Sequence, residues 1–85
     1  MMKLWILEYV KDLPPDDNPW YDLYDNVLAF VVRADTEEEA RMFAHKNAGD
    51  ENYKRTPWLD KRYSTCNELL PQGTAGVIIK DFYAA

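Results

Sequence analysis

Large apolar residues fall in three runs along the chain, and the segments between them carry most of its proline. The first run, residues 2–10 (MKLWILEYV), predicts a strand. Its alternation sends Leu4 and Ile6 to one side and Trp5, Leu7 and Tyr9 to the other. Both sides are apolar, as expected of a central strand covered on two faces. Residues 26–34 (NVLAFVVRA) predict a second strand, rich in β-branched Val27, Val31 and Val32 and including Phe30. Residues 76–83 (GVIIKDFY) predict a third.

Between the second and third runs the period changes from two to near four. Thr36-Glu37-Glu38-Glu39 is a capping box, in which the hydroxyl and the last carboxylate satisfy backbone N–H groups that a helix start leaves unpaired. Three glutamates in the first turn also suit the positive end of the helix dipole. Ala40, Phe43, Ala44 and Ala48 form one apolar stripe, and Gly49 is a left-handed stop signal, so a helix is predicted over 37–48. Thr65 to Glu68 forms a second, weaker box that predicts a short helical turn at about 66–70, closed by Pro71 and Gly73.

These elements define a single α+β domain over residues 1–85, with a three-stranded ββαβ sheet. A right-handed crossover through the helix makes the second and third strands parallel. The first strand fits between them, antiparallel to both, giving a mixed sheet of order 2-1-3 with the main helix on one face. One helix covers one face only. The other face then calls for the Trp- and Tyr-bearing loops, a second copy of the chain, or both.

Composition narrows the function. A chain of 85 residues holds one core and buries only about 60–65% of its unfolded surface, so a homo-oligomer is expected to help it. Cys66 is the single cysteine, which precludes an intramolecular disulfide and points to a reducing, cytoplasmic setting. Glu8 interrupts the apolar start, and no stretch approaches the ~20 apolar residues of a membrane helix. Fifteen acidic against ten basic residues argue against general nucleic-acid binding.

No catalytic constellation emerges, so an enzyme is not expected. His45 is the lone histidine and lies opposite the Phe43/Ala44 stripe, where it reads as a solvated side chain beside Arg41. Cys66, at the start of the predicted turn, is placed where N–H groups can lower a thiol pKa, but nothing near it supplies a base. One Cys and one His cannot make a structural zinc site. Asp12, Asp16, Asp17, Asn18, Asp22 and Asp25 crowd the first loop, yet Trp20 and Tyr21 stand where an EF-hand would need a ligand and a glycine. Neither a metal nor a cofactor is expected.

The segment from Tyr53 to Tyr63 is different. Lys54, Arg55, Lys61 and Arg62 alternate with Tyr53, Trp58 and Tyr63, opposed only by Asp60. Such alternation can clamp a phosphate while a ring stacks on a base. In the blander reading, Trp58 and Leu59 cover the open sheet face and the charges stay in water. Trp20, Tyr21 and Tyr24 of the acidic loop are candidates for a facing wall, and Arg33 for a further cation.

The strings FVVRADTEEEAR (30–41), PWLDKRYSTCNELL (57–70) and GVIIKDFYAA (76–85) resemble a group of small phage and prophage proteins. The resemblance rests on structural punctuation and brings no catalytic residues with it. It implies a non-catalytic, counter-defence binding protein in the host cytoplasm, sequestering a nucleotide-like immune signal. The alternative is an inhibitor that presents the acidic loop to a basic host protein.

Overall fold

A computed structural model of the chain describes residues 1–80. Strand β1 (Lys3–Tyr9) lies between β2 (Ala29–Ala34) and β3 (Ser64–Glu68), in the order β2-β1-β3. The expected class and strand order hold. β2 and β3 run the same way but do not pair with each other, so both ladders are antiparallel rather than mixed.

The third strand is not where the sequence pattern put it. Residues 64–68 are extended and pair with β1, Cys66 opposite Leu7 and Ser64 opposite Tyr9. The Thr65–Glu68 helix signal gives way because the outer backbone groups of a central strand need partners, and these outweigh a single local cap. With that edge occupied, residues 76–80 form no strand, and Val77 and Ile78 are exposed. The rest of the run expected to be a strand, 81–83, lies outside the described residues.

Helix α1 (Glu37–Lys46) starts at its predicted cap, with the Thr36 hydroxyl accepting from the Glu39 N–H at 3.2 Å. Glu39 reaches back to the N–H of Asp35, also at 3.2 Å. The buried stripe is rotated from the expected one. Ala40, Arg41 and Ala44 face inward, while Phe43 is 47% exposed. Arg41 explains the rotation. Its guanidinium donates to the Trp58 carbonyl (2.9 Å), the Ser64 hydroxyl (2.8 Å), the Ser64 carbonyl (3.1 Å) and Glu37 (2.9 Å). A buried charge is tolerable only when paired and hydrogen-bonded in this way.

The core lies between α1 and the sheet face formed by Leu7, Phe30 and Ala34. Trp58 fills its centre, edge-on to Phe30 (4.9 Å between centroids) and to Trp20 (5.4 Å). Tyr9 closes the row at 5.5 Å from Trp20. Both tryptophans therefore cover the helix side, correcting the expectation that the aromatic loops roof the opposite face. On that opposite face Ile6 is buried, but Leu4 and Val31 stay exposed among the described residues.

Gly49 also acts differently from expectation. Its φ is −103°, so it is not a left-handed stop. A Cβ here would collide with the backbone of Asp25, whose carbonyl accepts the Asp50 N–H at 2.6 Å. Close approach of two loops, not backbone handedness, requires the glycine. Gly49→Ala is therefore expected to cost about 1–3 kcal/mol. Denaturant unfolding should show a lower midpoint at unchanged slope.

Candidate ligand-binding cleft

Two loops face each other beside the core, and each is anchored by a buried side chain. In the first, Pro15–Asp17 forms a single 3-10 turn. Asn18 Oδ1 then accepts the Trp20 N–H at 2.9 Å, and the Trp20 indole donates to the Val27 carbonyl at 2.7 Å. With Trp20 held inward, its neighbour Tyr21 points out, 59% exposed.

The second loop turns on Glu51, which is 1% exposed. Its carboxylate accepts from the N–H groups of Val27 and Gly49, both at 3.1 Å, and from the Trp58 indole at 2.6 Å. Charge-assisted bonds of this kind are about twice as strong as neutral ones. Glu51 thereby fixes the 3-10 turns Asp50–Asn52 and Pro57–Leu59 around it. Tyr53, just beyond the first turn, is 83% exposed.

Asp17 joins the two loops. It accepts from the Tyr63 hydroxyl at 2.6 Å, pairs with Arg55 at 3.4 Å and is also bonded by Arg62. Both guanidinium groups stand near the Tyr63 ring, at 5.9 and 5.4 Å. The hydrogen bond from Tyr63, helped by the two arginines, holds the Asp17 carboxyl below its ordinary range. The same hydrogen bond raises the Tyr63 phenol.

Between the loops opens a cleft of about 300 Å³, walled by Pro15, Asp16, Tyr21 and Leu23 on one side and Asp50, Tyr53, Lys54 and Arg55 on the other. Behind Tyr21 runs a broader groove of about 840 Å³, lined by Tyr9, Trp20, Tyr24 and Leu28 among others. Of the candidate residues, Tyr21, Tyr53, Lys54 and Arg55 thus meet in one cleft. Trp20 and Tyr24 belong to the groove, with Tyr21 as the shared wall.

Five candidates are placed elsewhere. Trp58 is completely buried, so its ring is core and cannot stack on a ligand. Tyr63, 7% exposed, closes the Asp17 cluster. Arg33 pairs opposite Leu4 and lies on the outer sheet face, away from both loops. Lys61 and Arg62 are exposed but line neither opening, and Arg62 is occupied by Asp17. Asp16, noted in the sequence only as part of the acidic loop, and Asp50, which carried no sequence signal, also stand on the cleft walls.

Cys66, expected near helical N–H groups, sits instead in β3, where burial pushes its thiol up to about 11. It is protonated and poorly nucleophilic at neutral pH. His45 is half-buried rather than fully solvated, and its Nδ1 has no hydrogen-bond partner among the described residues. No described helix is long and apolar enough to cross a membrane. Comparison with models of known families, with curated proteins and with solved structures finds no match to this chain.

Two outcomes follow from the anchors. Glu51→Ala removes the acceptor of one buried donor, the Trp58 indole, and of two part-buried backbone N–H groups, and is expected to cost about 3 kcal/mol, measurable by urea unfolding. For Asp17 the folded pKa lies below the ordinary 3.8, so its contribution is whole above that value and is lost as pH falls through the depressed one. Asp17→Asn should flatten the acid limb of the stability–pH curve. An unaltered acid limb would remove Asp17 as the titrating group.

Proposed function

We propose that this chain is a non-catalytic binding protein that holds a nucleotide-like small molecule in the cleft between its two anchored loops. The reading is carried by one juxtaposition. Two exposed tyrosines, Tyr21 and Tyr53, share a cleft with Lys54 and Arg55. Aromatic faces accept a base by stacking, and the cations suit a phosphate. Lys54 takes part in none of the ion pairs formed among the described residues, which leaves its ammonium available to a ligand. Sequestration as a counter-defence device is what the phage-protein resemblance adds.

A second reading, inhibition of a basic host protein, draws on Asp12, Asp16, Asp22 and Asp25, which are all exposed on the first loop. Asp17 does not belong to that surface, since it is committed to Tyr63 and the arginines.

Thermal unfolding with a panel of nucleosides and nucleotides tests the first reading. At a ligand concentration near 100 times Kd, linkage adds about 2.7 kcal/mol. In a domain of this size that raises Tm by roughly 10 °C or more. Tyr53→Ala and Lys54→Ala should remove the shift while unfolding within about 2 °C of the unliganded wild type, because both side chains are exposed and outside the core. No shift with any member of the panel at millimolar concentration discards the reading. Pull-down of a basic protein that weakens in salt and needs Asp16 and Asp22 would favour the second.

A further inference from the structure

The charges on the cleft walls do not suit every nucleotide alike. Lys54 and Arg55 share the cleft with Asp16, on the facing wall, and with Asp50, on their own wall. Arg55 already shares its charge with Asp17, whereas neither Asp16 nor Asp50 takes part in an ion pair among the described residues. Glu51 also lines the cleft, with both carboxylate oxygens engaged by Val27, Gly49 and Trp58. The cationic capacity left for a ligand is therefore one ammonium and part of one guanidinium. The chain as a whole carries a net charge of −5, which repels a polyanion further. A volume of about 300 Å³ lies at the small end of ligand pockets, roughly 300–1,000 Å³.

We infer that the cleft takes a single nucleoside or nucleoside monophosphate and discriminates against polyphosphates and dinucleotides. This rests on the nucleotide-binding reading and specifies the ligand class within it. A monophosphate matches the available cations. Each further phosphate adds negative charge with no cation to receive it, in a space already holding two free carboxylates. Those carboxylates are acceptors only, and they suit the donors a nucleoside offers, its ribose hydroxyls and exocyclic amine. Acidic walls that oppose one end of a nucleotide thus recognise the other.

Isothermal titration at low salt, without divalent cations, tests this with adenosine, AMP, ADP, ATP and a cyclic di-adenosine monophosphate, and with the guanine series alongside. AMP or adenosine should bind tightest, ADP weaker, and ATP at least about 10-fold weaker than AMP. In Asp16→Asn/Asp50→Asn, whose folding is checked by its melting temperature, the AMP-to-ATP ratio should fall several-fold, chiefly through tighter ATP binding. Tighter binding of ATP or the dinucleotide than of AMP by the wild type overturns the inference while leaving nucleotide binding intact. An unchanged ratio in the double variant also overturns it, since the carboxylates would then not discriminate. Failure of every nucleoside and nucleotide to bind overturns the nucleotide reading itself.

Discussion

Trp58 is gripped at both ends by buried charge, and the remainder of the domain is arranged around that grip. Its indole N–H donates to Glu51, and its carbonyl accepts from Arg41. The two charged groups belong to different elements, a loop turn and the main helix. Each also reaches a third place: Glu51 the backbone ahead of β2, Arg41 the start of β3. One ring thus fixes the helix, both flanking strands and the second loop relative to one another. Buried carboxylates and guanidinium groups contribute little net stability when compared with a well-packed apolar core, but they are intolerant of misplacement. That intolerance gives this small core a defined geometry.

The cleft inherits its shape from the same grip. Tyr53 and Lys54 follow directly on the turn that Glu51 fixes, and Tyr21 follows directly on Trp20, whose ring leans on Trp58. The exposed aromatics are therefore held by their buried neighbours and by their own backbone bonds, from the Tyr21 N–H to the Asn18 carbonyl and from the Tyr53 N–H to the Asp50 carbonyl. Asp17 spans the two loops and sets the gap between them. Recognition groups placed on such supported loops lose little conformational freedom when a ligand enters.

Local signals in the sequence located what local forces decide. The Thr36 cap, the first two strands and the central position of the most apolar strand were all readable from residue order. What failed were long-range competitions. Cys66 and its neighbours look like a helix start in isolation, yet pair with β1 because that strand has an open edge. Arg41 looks like surface charge, yet is buried because carbonyls 17 and 23 residues away converge on it. Gly49 signals a stop, whereas its role is to admit the backbone of Asp25. In the cleft, the alternation of basic and aromatic residues drew notice to Tyr53, Lys54 and Arg55. It could not tell Trp58, which faces inward, from Tyr53, which faces out. Glu51 carried no local signal at all, since its partners are assembled only by the fold.

The position of β1 has a kinetic consequence. It precedes both of its partners in the chain, and the second of them lies some sixty residues further on. During vectorial synthesis the strand richest in apolar groups emerges early and stays half-paired until Ser64–Glu68 has left the ribosomal tunnel. Over that interval Trp5 and Leu7 are without their full cover, and transiently open apolar surface of this kind promotes association between chains.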